Sequence, residues 1–311
     1  MNAGMNKKTV GGTIICRSIG KHRLYGEWNV SLYDGCKNGC KYCDTHKFPM
    51  NHDPGYEPVL KADLVFPVSD ASFFGPAARR ILRKDIDAIG IDKLKSQGCT
   101  FLYSKRDPLG NITRDETFII LEILVCTYHI PVAIFTKNVE WMDFYSWRMN
   151  TRLQRHLPIW SSLVYVFTPG DGHDPSVPSV DDRIRAMQRF YYTYHAPAYL
   201  SIEGISDLEY VIYVCNMVEG DDTKIFIDIC DEDIKFIAGG IRLLCLGEYL
   251  TKFISQSVTD VIVRYYTVSF TENQITNVVP KDFSLILKSK DYYDELMKVW
   301  EKEKTKISEC I

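Results

Sequence analysis

The chain predicts an α/β fold: a partial (β/α)6 TIM-like barrel with an N-terminal extension and a C-terminal α+β extension. Three observations predict it. From residue 99 to residue 229, short runs rich in Val, Ile and aromatic residues alternate with stretches of helical period, the pattern of parallel βαβ units. A further extended run at residues 28–33 stands before them, which brings the expected strands to six. The connections after the strands carry Gly, Pro and titratable residues, and in such sheets ligands bind at the carboxyl ends of the strands.

Each element follows from local pattern. Residues 1–26 form the N-terminal extension: polar and basic at first (Lys7, Lys8), then Gly11-Gly12 before a short apolar run read as a small extra strand. The core is placed at 27–230. Its first strand, Trp28-Asn29-Val30-Ser31-Leu32-Tyr33, is followed by residues 44–67, rich in His, Pro, Gly and Asp and expected as a long irregular segment. Residues 74–95 have helical period with a basic cluster, Arg79, Arg80, Arg83 and Lys84. The interspersed Asp85, Asp87 and Asp92 predict a solvated face of balanced charge rather than a phosphate patch. A strand at 99–103 follows. Thr113, three residues before Glu116, then makes a capping box that opens a helix to Tyr128. Strands are expected at 131–136, 162–168, 197–202 and 223–229, with helices at 140–153, 179–195 and 207–218, the second capped by Ser179. The C-terminal extension, 231–311, is expected to pack on the core. Gly239-Gly240 interrupts a helical run that resumes at 241–254, residues 258–270 alternate like one or two strands, and 290–306 is a charged helix with Leu296, Val299 and Trp300 placed to pack back.

Composition excludes several classes. With 46% hydrophobic and 25% charged residues the chain is an ordinary globular protein with room for a large core. Residues 1–15 show no charged-plus-apolar signal segment, and no apolar run reaches membrane-spanning length. The ten Cys are therefore expected reduced, in a cytoplasmic protein with no membrane partner. A net charge of −3 gives no global footprint for nucleic acid, so any such contact would be local.

The chemistry centres on Gly35-Cys36-Lys37-Asn38-Gly39-Cys40-Lys41-Tyr42-Cys43, three thiols spaced C-x3-C-x2-C directly after the first strand. Soft ligands this close can wrap one face of a metal centre. Zinc usually takes four ligands from separated pairs. Three thiolates on a cubane [4Fe-4S] cluster, which ordinarily takes four, leave one iron open to a small molecule. The residues alone also allow a zinc-binding, non-catalytic module that adds a loop His such as His46, or three buried thiols. His52 is left unassigned, and Cys16 is read as a small buried side chain.

C-x3-C-x-aromatic-C after a first strand resembles the signature of the radical S-adenosylmethionine (radical SAM) enzymes. The resemblance implies that Cys36, Cys40 and Cys43 hold a [4Fe-4S] cluster whose open iron chelates S-adenosylmethionine, and that Tyr42 packs near the adenine. It also implies reductive cleavage to a 5′-deoxyadenosyl radical that abstracts hydrogen, and an electron donor such as flavodoxin or ferredoxin. Three further segments resemble spore photoproduct lyase-like, or DNA repair photolyase-like, members: Ser104-Lys105-Arg106-Asp107-Pro108-Leu109 with Ile112-Thr113-Arg114, then Ile134-Phe135-Thr136-Lys137, then the stretch from Asp174 to Ile184. That likeness implies lyase-type chemistry on a nucleic-acid base or lesion; radical modification of a protein or small molecule is the alternative. Asp174 stands where those proteins carry Glu, and their relay Cys cannot be aligned to Cys215, Cys230 or Cys245.

Four more residues are candidates for the cofactor. Lys137, at the end of the third strand, would offer an ammonium to the carboxylate of S-adenosylmethionine, or is a surface Lys. Ser104 and Asp107 would bond the methionyl amine or ribose, although Asp-Pro is also a plain turn. Glu203, beside Gly204, would contact the ribose or substrate, or pair with Arg183.

Overall fold

A computed structural model describes residues 14–18, 25–31, 33–34, 59–60, 74–101, 107, 109, 116–140, 151–169, 171, 174–175, 177–219, 223–230, 237–256, 259–269, 279–287 and 292–309. The strands are β1 (Ile15–Arg17), β2 (Trp28–Val30), β3 (Tyr33–Asp34), β4 (Val59–Leu60), β5 (Cys99–Phe101), β6 (Val132–Thr136), β7 (Ser161–Phe167), β8 (Ala198–Glu203), β9 (Lys224–Cys230), β10 (Asp260–Ser269) and β11 (Val279–Leu287). The helices are α1 (Phe74–Ile89), α2 (Ile91–Gln97), α3 (Glu116–Glu122, continued by a π-helical stretch Ile123–Tyr128), α4 (Thr151–Trp160), α5 (Val180–Tyr194), α6 (Leu208–Asn216), α7 (Ile237–Gln256) and α8 (Tyr292–Glu309).

Nine strands form one sheet in the order β1-β2-β5-β6-β7-β8-β9-β10-β11, and β3 pairs with β4 apart from it. From β2 to β10 every neighbouring pair is parallel, and the edge strands β1 and β11 are antiparallel. The order never reverses, so right-handed crossovers place successive helices on one face. That winding is the winding of a barrel wall. Closure is not seen: among the described residues β1 and β11 remain edges of an open sheet.

Period-2 alternation sorts the strand residues between two faces. One face, with Ile134, Leu163, Phe167, Leu200, Ile202, Ile227 and Val263, packs against the helices in the main core. The other carries Ala133, Phe135, Val164 and Val166, with Tyr25 and Tyr199 against them. Tyr25 shows that this second face is concave. Its ring lies 4.5 Å from Phe135 on β6 and 5.0 Å from Phe226 on β9, although three strand spacings, about 14 Å on a flat sheet, separate those strands.

Several expectations need correction. The run at 28–33 is not one strand: β2 ends at Val30, and Tyr33–Asp34 pairs with Val59–Leu60 instead. The helix expected to end at residue 153 runs on to Trp160 as α4 (Thr151–Trp160), with Pro158 inside its last turn, where it removes one N–H bond to the carbonyl four residues back; residues 141–150 lie outside the described residues. The sheet holds more than the six strands expected, because both extensions add strands to it. β1 pairs with β2, while β10 runs beside β9 from Asp260↔Lys224 to Tyr266↔Cys230 and adds a seventh parallel strand. Ser179 does cap α5, its hydroxyl accepting from Asp182 N at 3.1 Å. Thr113 lies outside the described residues. No helix among the described residues is long and apolar enough to cross a membrane.

Candidate functional site at the strand ends

Asp107, in the connection after β5, is buried and serves the backbone next door. One oxygen accepts from Leu109 N (2.9 Å), the bond of an Asx turn, and from the Thr136 hydroxyl (2.8 Å). The other accepts from Lys137 N (2.6 Å). Asp107 thus makes a local turn contact with Leu109, and the same carboxylate also fixes the carboxyl end of β6. Lys137 leaves that end with its side chain buried. Its ammonium donates to Thr168 Oγ1 and to Asp171 Oδ1, both at 2.9 Å.

Asp171, just beyond β7, is the hub. Its side chain is wholly buried between two cations, Lys137 and Arg183. The N-cap at Ser179 sets the start of α5, so Arg183 falls one turn in, on the side facing β7. There its guanidinium lies 4.3 Å over the Phe167 ring, donates to Val166 O (2.6 Å) and Asp171 Oδ2, and donates to the Tyr210 hydroxyl (3.1 Å). Burial pushes the Asp171 carboxyl above the ordinary carboxylate range. The Arg183 guanidinium and the Thr168 N–H offset this in part, and the nearby charge of Glu203 adds to it. Burial likewise raises the Tyr210 phenol, against the pull of Arg183. Formally Asp107, Lys137, Asp171 and Arg183 balance, the condition under which charges are buried. Beside them lies a cleft of about 540 Å³ lined by Asp171, Asp174, Val177, Arg183, Tyr210 and Tyr213.

A second buried ion pair sits on the concave face. Asp228 and Arg264 are register neighbours on β9 and β10, and the guanidinium grips both carboxylate oxygens, Nη2 at 2.7 Å from Oδ2. Arg264 also donates to the Tyr25 hydroxyl (2.6 Å), which donates onward to Ser201 Oγ (3.1 Å). The guanidinium stacks on the Tyr25 and Phe226 rings at 4.3 and 4.9 Å. Burial alone would lower the Arg264 pKa, but the Asp228 charge outweighs it and holds the cation protonated. Burial raises the Tyr25 phenol. Glu203, half-buried at the end of β8, is the register neighbour of Asp228.

Of the residues singled out from sequence, the structure therefore places Asp107 and Lys137 together at the ends of β5 and β6. Glu203 lies within electrostatic reach of Asp171. Arg183, weighed as an alternative partner for Glu203, forms its ion pair with Asp171. Cys36, Cys40, Cys43, Tyr42, Ser104, His46 and His52 lie outside the described residues. Among the described residues no three His, Cys, Asp or Glu side chains gather as a metal site. Cys215 is fully buried, its thiol pushed up to about 12 by burial. Sequence reasoning missed Asp171, Tyr210, Asp228, Arg264 and Tyr25. Arg264 did carry a signal: an Arg inside the apolar strand run Val261-Ile262-Val263.

No family model and no curated protein matches the chain. Among solved structures it is similar to a radical SAM methyltransferase from Sphaerobacter thermophilus, with TM-score 0.44 and 13% identity over 77% of this chain. The match spans 66% of that protein, less than two thirds of its length. A likeness this distant carries no weight for fold or function.

Proposed function

We propose that the chain is a radical SAM enzyme built on a partial barrel, with Cys36, Cys40 and Cys43 holding a [4Fe-4S] cluster. One observation carries the reading: three thiols spaced C-x3-C-x2-C, with an aromatic before the third, six residues beyond the end of the first parallel strand. The donor set fits, because thiolates are the ligands of such clusters and three of them leave one iron open. When bound, the cluster and S-adenosylmethionine supply a 5′-deoxyadenosyl radical for hydrogen abstraction.

The described residues support this by what stands at the strand ends. Asp107 fixes the backbone from which Lys137 departs, and Asp171 and Thr168 orient its ammonium. An ammonium held in this way suits a carboxylate such as that of S-adenosylmethionine, which must compete with Asp171 for it. Asp107 then acts by positioning Lys137 rather than by touching the ligand. The concave face, walled by Phe135, Phe226 and Tyr25, would exclude water around a reactive intermediate. A nucleic-acid base or lesion is the substrate we favour, on the segment resemblance alone.

The test is iron, sulfide and zinc per chain after anaerobic reconstitution, with Cys40→Ala alongside. Reduction with S-adenosylmethionine and an assay for 5′-deoxyadenosine follow. About four iron and four sulfide, lost in the variant, with 5′-deoxyadenosine formed, is the expected outcome. Zinc without sulfide, or a cluster indifferent to loss of Cys40, overturns the reading.

A further inference from the structure

The basic run on α1 looks charge-balanced in sequence because Asp85 and Asp87 interleave with it. The fold removes one of those acids. Asp85 is buried, and one of its oxygens accepts from both Ile14 N (2.7 Å) and Ile15 N (3.0 Å), which ties α1 to β1. Arg79, Arg80, Arg83 and Lys84 stay exposed, as do Asp87 and Ala88. These positions form one stripe, since residues four apart share a helix face. On α2, Lys93 and Lys95 are exposed beside Asp92. Six exposed cations thus face two exposed carboxylates, a local excess of four positive charges on a chain of formal net charge −3. Internal pairing is slight: Arg83 and Asp87 stand 4.0 Å apart and are both highly exposed.

Position gives the stripe a direction. Ile15, held by Asp85, pairs with Val30, the last residue of β2. The α1–α2 crossover leads from the carboxyl end of β2 back to the start of β5, so residues earlier than Asp85 lie toward the carboxyl ends. At 1.5 Å per residue Arg79 stands about 9 Å further that way. Cys36 follows Val30 by six residues, a covalent reach of at most about 20 Å. The chain that carries the cysteines thus leaves β2 at its carboxyl end, the end toward which the stripe extends.

We propose that this face of α1 and α2 docks a small acidic electron-transfer protein. The inference rests on the reading above, because reductive cleavage needs one electron from outside. One electron leaves the reduced donor and enters the cluster, and no proton or group changes hands. The footprint suits such a partner. A 16-residue helix is about 24 Å long, and weak redox encounters bury less than about 1,200 Å². Among the side chains of α1 described as exposed none is aromatic, so none offers a ring for bases to stack on, which favours a protein over a single-stranded nucleic acid.

The experiment reverses the stripe, Arg79→Glu/Arg80→Glu/Arg83→Glu/Lys84→Glu, beside a control with Lys252→Glu/Lys302→Glu/Lys304→Glu. The probe is flavodoxin. Its affinity is measured at low and high salt, and 5′-deoxyadenosine formation is driven either by reduced flavodoxin or by dithionite. The stripe variant is expected to lose about ten-fold or more in flavodoxin affinity and flavodoxin-driven rate. It should keep its dithionite-driven rate, and wild-type affinity should fall steeply with salt. Unchanged flavodoxin binding overturns the proposal, as does an equal loss in the control or an equal loss with dithionite. So does a single-stranded oligonucleotide bound by wild type and not by the variant while flavodoxin binds both alike. If wild type forms no 5′-deoxyadenosine with dithionite, the functional reading falls, and flavodoxin affinity still decides the docking surface.

Discussion

The Asp228–Arg264 pair offers a test of the concave face that needs no ligand. Both side chains are almost wholly buried, at 1% and 3% exposure, and the guanidinium holds both carboxylate oxygens. Asp228→Leu leaves the Arg264 cation with the Tyr25 hydroxyl and two ring faces, and Arg264→Met leaves a buried anion with no cation against it among the described residues. Breaking a buried pair from either side costs about 3–5 kcal/mol, chiefly the penalty of the stranded charge. Ring faces return at most about 2 kcal/mol of that for the cation. Replacing both partners by apolar residues strands neither charge, so Asp228→Leu/Arg264→Met should lie within about 2 kcal/mol of wild type. Urea unfolding followed by far-UV circular dichroism on all four proteins closes the double-mutant cycle. The expected result is two costly single variants and a double variant better than either. A double variant whose loss equals the sum of the singles would show that the two groups do not act as a pair, and the reasoning would fail.

At the strand ends, Lys137→Met should weaken S-adenosylmethionine binding by about ten-fold or more, the loss of a charge-assisted hydrogen bond; equilibrium dialysis with labelled ligand measures it, and unchanged affinity removes Lys137 from the site. Tyr25→Phe should change the alkaline limb of stability. Burial raises the Tyr25 phenol, so its contribution is whole below the unfolded value near 10 and is lost as pH rises toward the folded one. Wild type should therefore lose up to about 1.4 kcal/mol per pH unit from this group above pH ~10, and the variant should lack that slope in urea titrations. Gly240→Ala should cost about 1–3 kcal/mol in thermal unfolding, because a Cβ there would stand 2.5 Å from the Trp300 ring and push α8 off α7. Cysteine alkylation mapped by mass spectrometry should find Cys16 and Cys245 reactive in the native protein and Cys99, Cys126 and Cys215 protected until unfolding.

What the sequence revealed and what it hid divide along contact range. The parallel strands were legible because each is a short apolar run with its own punctuation, and Ser179 was legible because a cap acts three residues away. Lys137 could be placed at a strand end, but not on Asp171, which lies in a Gly/Pro/Asp connection that reads as solvated turn. Only the fold shows that Arg183, brought inward by the cap on α5, draws that carboxylate under cover. Tyr25 was assigned to an extension, yet its hydroxyl bonds a guanidinium 239 residues away, and no local pattern encodes such a distance.

Asp85 is the instructive middle case. It was expected on a solvated face, yet it falls three residues after buried Leu82 and beside buried Ile86, on the apolar stripe of its own helix, and helical period turns it inward. A buried carboxylate must find donors, and here two adjacent backbone N–H groups at the edge of the sheet supply them. Counting charges along the sequence treats Asp85 as neutralising its neighbours. Sorting them by helical face first removes it from the surface and leaves the excess positive charge of α1 standing. The character of that surface is set less by composition than by which residues the core withdraws from it.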